Sequence, residues 1–304
     1  MPPPDVADPV VQTIAGVRLI AEGLQASQLP DSFSAFRQLA DADLDCHVVC
    51  RGADPALDRL PAAPDRPWSF EVHDARCEVL RRNRAGECLW RLAAPLDFER
   101  VECSWSPRRF LAHYGSYERC WARALALVLL ACRLRAAGGL VFHGMAADLD
   151  GHGLLCAGPS GRGKSTLARL LAGAGHPVLS DERPVVRLGR ATRTAGAGPA
   201  RVHGSPWHSS GGFAATGHVP LRCLAFIEHG EEDRLTPLAP RQALARLLDV
   251  AIIPWQNPLL FDPCIATLEN LLASVPTAVL AFRPGAPVVD LLRRRVPALG
   301  VEAG

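Results

Sequence analysis

The sequence predicts an α/β protein: a smaller, mostly β N-terminal domain, residues 1–115, followed by an α/β domain, residues 116–304. Three observations carry this reading. Up to about residue 115, short alternating apolar and polar stretches are broken by Pro, Asp and Gly, as in half-buried strands. From Tyr117 onward, strand-like stretches alternate with helix-like ones, the order of an α/β layer architecture. Within that second region the glycine-rich run GPSGRGKST, Gly158 to Thr166, joins an apolar strand to a helix.

Taken in order, GVRLIAE, DCHVVCR, WSFEVHD, CEVLRRN and ECLWRLA read as strands, the last two as a hairpin around NRAG. YERCWARALALVLLACRLRAAG has helical spacing and stops at Gly138–Gly139. GLVFHGMAADL and GHGLLCAGPSG read as two strands separated by the turn DGHG. KSTLARLLAGAG is a helix that ends at glycine, and HPVLSDE is a buried strand ending in acids. RCLAFIEHG is a further apolar strand, PRQALARLLDVA and PCIATLENLLASV are helices, TAVLAFRP is a strand and PVVDLLRRRV a last helix. The stretch from Arg190 to Phe213 is rich in glycine and lacks periodicity, so a loop near the site is expected there.

Composition narrows the function classes. Hydrophobic residues make up 48% and charged residues 21%, enough for a real core in a soluble globular chain. A net charge of +2 gives no electrostatic case for nucleic acid or a membrane surface as partner. The opening MPPPDVADPVVQ has neither the basic nor the apolar region of a secretory signal, and the longest apolar run, ALALVLLACRL, is too short to span a bilayer. A cytoplasmic protein with reduced cysteines is expected; CHVVC (Cys46 to Cys50) alternates like a strand and lacks the second ligand pair of a zinc site.

Gly158-Pro159-Ser160-Gly161-Arg162-Gly163-Lys164-Ser165 fits G-x-x-x-x-G-K-[ST], with a strand before it and a helix after it. Glycines let backbone N–H groups wrap a phosphate, and the helix N-terminus adds positive dipole. Lys164 reaches β- and γ-phosphates in such loops, and Ser165 places its hydroxyl on Mg²⁺, so ATP with Mg²⁺ is the expected cofactor pair, held by Gly158 to Thr166. Lys164 is also the chain's one lysine; all other cationic side chains among its 33 Lys and Arg are arginine. A slim stem with a compact ammonium fits a tight phosphate loop where a wide planar fork does not. The absence of a second lysine excludes the usual guanine-reading N-K-x-D motif and the strand lysine of eukaryotic-type protein kinases.

Asp181 and Glu182 end an apolar stretch 17 positions after Lys164, room for one helix and one strand, which predicts that the acids sit on the strand adjacent to the loop. With HGMAAD (His143), GPSGRGKST and LSDER at these intervals, the chain from Tyr117 to its end resembles the bacterial HPr kinase/phosphorylase group. It resembles still more the HPr-kinase-related P-loop serine kinases, similar to lasso-peptide precursor kinases, with GSPWH, LAFIEHGEEDRLTPLAP and ALARLLDVA further along. The resemblance implies a kinase core similar to phosphoenolpyruvate carboxykinase, using ATP and Mg²⁺ to phosphorylate a serine of a protein or peptide substrate, with room for a homo-oligomer. It implies Asp181 as the base, His143 as the group that orients or tunes Asp181, Lys164 on the phosphates, and Ser165 with Glu182 on the metal. Thr166 stands where HPr kinases carry Glu, Glu182 replaces the family's second Asp, and the segment after it lacks the phosphorylase signature, so neither HPr nor reverse phosphorolysis is implied.

Secondary candidates are Glu228 at a strand end, Trp207 and His208 as loop anchors or substrate contacts, and Arg241 and Arg246 on a helix face. Two other functions compete. The loop reads like that of ABC-type ATPases, and SSGGF imitates their signature, but the Asp-Glu pair precedes it instead of following it. An ATP-binding regulator without transfer activity is the other. Lys164→Arg is expected to abolish activity although it keeps the charge; near-normal turnover of that variant in a phosphate-transfer assay would refute the steric account.

Overall fold

The computed structural model describes residues 8–37, 39, 42–189 and 198–299. It is a mixed α/β structure built on two sheets, in two compact units. One unit comprises Met1–Ala136 with Ile253–Asp262, the other Ala137–Ile252 with Pro263–Gly304. The chain thus divides at Ala136, after the helical stretch beginning at Tyr117, and not at residue 115.

The first unit holds β1 (Val10–Ile14), β2 (Val17–Ala21), β3 (Leu44–Ala53), β4 (Trp68–His73), β5 (Arg76–Arg82), β6 (Cys88–Pro95) and β7 (Arg100–Trp105). Their order is β1-β2-β3-β7-β6-β5-β4, antiparallel except where β3 meets β2 and β7. The expected hairpin is β5–β6; β1 and β7 go beyond the expected set. The helical stretch packs its apolar side into this unit with Trp121 fully buried. The indole Nε1 of Trp121 donates to Gln12 Oε1 at 2.7 Å, and Trp90 Nε1 donates to the Tyr114 hydroxyl at 3.3 Å, so the two large buried rings keep their polar edges satisfied. All ten cysteines of the chain are free thiols.

The second unit carries a nine-stranded sheet: β8 (Gly139–Val141), β9 (Gly144–Leu149), β10 (His152–Ala157), β11 (Val178–Ser180), β12 (Val185–Gly189), β13 (Gly198–His203), β14 (His218–His229), β15 (Arg234–Pro237) and β16 (Thr277–Phe282). The main path runs β11-β9-β10-β14-β13-β12-β8, and β16 joins β14 in parallel and β15 in antiparallel. The long β14 therefore pairs with β13 through its first half and with β16 through its second. Residues of alternate parity on β9, β10, β14 and β16 (Met145, Ala147, Leu154, Cys156, Cys223, Ala225, Ala278, Leu280) meet Leu167, Ala168 and Leu171 of the helix Lys164–Gly173 and Val288, Leu292 and Val296 of the helix Ala286–Ala298. Leu155, Ala157 and Leu224, of opposite parity, are fully buried as well, which explains why these strands read as continuous apolar runs.

Three expectations change. The stretch Gly139–Leu149 is two strands, not one: at Phe142 the chain bridges to Ala251, and the His143 amide donates to Val250 O at 2.7 Å, so each half pairs in a different branch of the sheet. The strand carrying the acids is not adjacent to the loop strand. β9 and β10 form a hairpin closed by Asp150 and Gly151 at φ 54° and 86°, the geometry that a two-residue Asp-Gly turn supplies. β9 thereby takes the edge of β10, and β11 pairs with β9 beyond it. The glycine-rich stretch is also not all loop: residues 190–197 lie outside the described residues, but Gly198–His203 is β13, paired on both sides. No helix among the described residues is long and apolar enough to cross a membrane.

Leu154→Ala, in the fully buried centre of β10, is expected to cost about 2–5 kcal/mol by transfer loss plus cavity. Leu259→Ala, at a side chain 58% exposed, is expected to stay within about 0.5 kcal/mol. Urea denaturation of the two variants beside the parent chain checks the contrast.

Candidate active site

The site grows from the end of β10. The chain leaves the sheet at Ala157, runs through Gly158 to Gly163 and enters the helix Lys164–Gly173. Gly163, at the helix entrance, has φ 98° and ψ 5°, a left-handed conformation that a residue with Cβ adopts only under strain. No side chain caps this entrance, so the first-turn amides remain available to an anion, where the helix dipole is most positive. Pro159, Ser160, Gly161 and Arg162 are exposed. Thr166 lies half-buried in the first turn.

Lys164 is buried, 6% exposed, and its Nζ donates to Gly158 O at 2.6 Å and Pro159 O at 2.7 Å. Both partners are neutral carbonyls. Burial, followed by the field of Arg183, pulls its pKa down from 10.5 to about 8. The His143 ring stands beside this ammonium: Nε2 is 3.4 Å from Lys164 Nζ and 3.3 Å from Ser160 Oγ, and Arg183 Nη1 donates to Nδ1. Burial first, then the two cations, hold His143 at about 4 from an ordinary 6.5, so the ring is neutral at pH 7. Burial also lowers the pKa of Arg183.

Asp181 directly follows β11 and is only 1% exposed. Its Oδ1 accepts from the Ser209 amide at 2.9 Å and its Oδ2 from the Ser209 hydroxyl at 2.6 Å. The same Ser209 Oγ is 3.2 Å from Ser165 Oγ in the first turn of the loop helix. Ser209 thus links the acid at the end of β11 to the candidate metal ligand of the loop. Gly211 follows in the same turn, and a Cβ there would collide with Asp181 Oδ2. Ser180, fully buried, fixes the bend after β11: its hydroxyl donates to Trp207 O at 3.1 Å and accepts from the amides of Glu182 at 3.3 Å and Arg183 at 3.1 Å. The Glu182 carboxylate pairs with Arg183 Nη2 at 3.3 Å, and the Glu182 carbonyl accepts from the Gly144 amide at 3.1 Å.

The residues of the site therefore fall into two linked groups. Lys164, His143, Ser160, Arg183 and Glu182 form one, and Asp181, Ser209 and Ser165 the other. His143 was expected to tune Asp181; its ring instead meets Lys164 and Arg183. Trp207 is a buried anchor held through its carbonyl by Ser180, and exposed His208 turns its Nδ1 to the Ser209 carbonyl at 2.9 Å. Glu228 and Arg246 pair with each other at 2.6 Å with both side chains substantially exposed, and Arg246 lies over the Phe226 ring; Arg241 is exposed. Arg183, Ser180 and Ser209 are the residues that sequence reasoning did not single out, although LSDER and SSGGF contain them. Among the described residues no group of three or more His, Cys, Asp or Glu could hold a metal by itself. Mg²⁺ needs none, since it takes one or two protein oxygens and completes its shell with phosphates and water.

The family model described as SynChlorMet cassette protein ScmC matches residues 120–268, just under half of the chain. The matched span holds the phosphate loop, His143, Asp181 and Ser209, so the chain is similar to that family over the whole of this site. No curated protein matches the chain.

The neutral His143 gives a pH signature. Its folded pKa lies below the unfolded value, so the unfolded chain binds the proton more readily, and stability rises as pH rises from about 4 to 6.5. The penalty is complete below pH 4. The melting temperature of the parent chain is expected to climb across that window, and His143→Gln to flatten the climb; coincident pH profiles would remove the ring as its source.

Proposed function

We propose that this chain is an ATP- and Mg²⁺-dependent kinase of the HPr-kinase-like kind, transferring phosphate to the serine hydroxyl of a protein or peptide. The observation that carries the proposal is the bridge Ser165–Ser209–Asp181, which ties a buried carboxylate to the first turn of an uncapped phosphate-loop helix. A phosphate loop alone serves hydrolases and transferases alike. A carboxylate already engaged with a serine hydroxyl beside that loop is what hydroxyl transfer requires, because a general base must reach the proton that it removes.

The loop fits a triphosphate on its own chemistry. Its helix entrance has no side-chain cap, and its ammonium is held by carbonyls and lowered to about 8 by burial and by a neighbouring cation. An anion there replaces neutral partners with charged ones and restores the ordinary lysine range. When bound, Mg-ATP supplies the electrophilic phosphoryl group and neutralises the charge that develops on transfer. Ser165 would hold the metal through its hydroxyl. Lys164 would turn from the Gly158 and Pro159 carbonyls to the phosphates. Asp181 would take the proton of the acceptor hydroxyl at Oδ2, the atom that now accepts from Ser209. Arg183 holds Glu182 and the His143 ring in place, and His143 stays neutral beside Lys164 so that the ammonium keeps its charge for phosphate. Glu182, half-exposed at the mouth, would reach the metal only by giving up Arg183.

The test is transfer of phosphate from Mg-ATP to small peptides encoded beside this gene, read as a mass gain. The parent chain is expected to phosphorylate a peptide serine, and Asp181→Asn to lose at least ~100-fold in rate, the contribution of a positioned base. ATP hydrolysis without labelling of any peptide or protein would favour the ATPase reading, and nucleotide binding with neither outcome the regulator.

A further inference from the structure

Ser209 stands where the proposed reaction needs its acceptor. Its Oγ donates to Asp181 Oδ2 at 2.6 Å, the contact a substrate serine makes with its general base, and it lies 3.2 Å from Ser165 Oγ at the phosphate loop. The backbone presents it: the Ser209 amide grips Asp181 Oδ1 at 2.9 Å, and the Gly211 amide approaches Ser209 Oγ at 3.4 Å. Asp181 itself is sealed from solvent at 1% exposure, while Ser209 is only half-buried and lies on a turn between buried Trp207 and exposed Gly212. A serine kept merely to cap a carboxylate has no reason to share its hydroxyl with the residue expected to carry the metal.

We propose that Ser209 is a phosphorylation site of the protein itself, modified within one molecule by its own site. The inference rests on the kinase reading above. The Ser209 Oγ–Pγ bond forms as the bond from Pγ to the β,γ-bridging oxygen breaks; ADP leaves with that electron pair, and the hydroxyl proton passes to Asp181 Oδ2. Once Asp181 has released that proton to solvent, the phosphate of nearly two negative charges stands next to a carboxylate, so repulsion ends the Ser209–Asp181 contact and frees the carboxylate from its resident hydroxyl. Modification of Ser209 is then the event that opens Asp181 to an external serine.

The experiment incubates the full chain, stripped with phosphatase, with Mg-ATP, alone and in a parallel arm with the peptides of the transfer assay, and maps phosphate by fragment mass spectrometry. The expected result is one phosphate on Ser209, at a first-order rate independent of protein concentration, absent in Ser209→Ala and Asp181→Asn, and moved to the new hydroxyl in Ser209→Thr. Ser209→Thr keeps the hydrogen-bonding group and so keeps the test alive if Ser209→Ala folds poorly. Phosphate on a peptide serine with none on Ser209 would overturn the inference and leave the kinase standing. Phosphate on neither would remove both. Phosphate only on exposed Ser160 or Ser210, or a rate that rises with protein concentration, would also overturn it.

Discussion

The ammonium of Lys164 is the constraint around which the candidate site is arranged. It is buried at the neck of the loop, and its two short hydrogen bonds go to carbonyls that belong to the loop itself. A buried cation without an anion is costly, and the cost appears in its depressed pKa; burial first, and then this ammonium, lowers that of His143. The neighbours answer that cost in kind. His143 stays neutral, and the negative charge of Glu182 lies in the same cluster through Arg183. The ammonium is therefore held by neutral carbonyls, and under the proposed function a phosphate would supply the anion. Arginine, with a rigid fork of five donors, could not satisfy itself on two loop carbonyls in that space. One lysine in a chain of arginines is the sequence's record of this geometry.

The sheet delivers Asp181 to this loop by a route that spacing alone does not describe. β9 occupies the edge of β10, and the acid arrives from the strand beyond it. The gap is closed from the opposite side of the chain, by the turn after β13 that carries Trp207, Ser209 and Gly211. Ser180 locks that turn to the end of β11 through the Trp207 carbonyl, and Asp181 locks it again through Ser209. Both locks consist of short side chains bonded to backbone, which lose little rotamer freedom and hold their geometry well. Removing either group leaves a buried polar partner unsatisfied, so the turn, the acid and the loop are coupled by hydrogen-bond accounting.

Much of this was legible in the residues, and the limits are physical. The phosphate loop, its helix and the flanking strand are local: glycine placement, an apolar run and helical spacing occupy neighbouring positions. The Asp-Gly hairpin is local too. The place of β11 is not, because its pairing with the far edge of β9 leaves no period in the sequence. Ser209 and Asp181 are 28 positions apart, and a serine in a glycine-rich run carries no mark of the carboxylate it will meet. His143 was assigned to Asp181 by resemblance, and its real neighbours follow from where the strand breaks at Phe142. The helix from Tyr117 looked like the start of the second region because its texture is helical, but a helix apolar on most faces does not announce which sheet it packs on.

Two acids stand side by side at the end of β11, and their surroundings separate their chemistry. Asp181 is sealed from water, and its oxygens are engaged by an amide and a hydroxyl of one residue. Glu182 is half-exposed and engaged by a guanidinium. A carboxylate that accepts from a hydroxyl is placed to meet another hydroxyl at the same oxygen, whereas one paired with a guanidinium is held by its cation. Under the proposed function this contrast favours Asp181 as the base and Glu182 as the acid that places charge, and it rests on the exchangeable partner being Ser209. If another hydroxyl replaces Ser209 at Oδ2, Asp181 keeps its backbone grip through Oδ1 and loses only the bond that the proposed reaction would break.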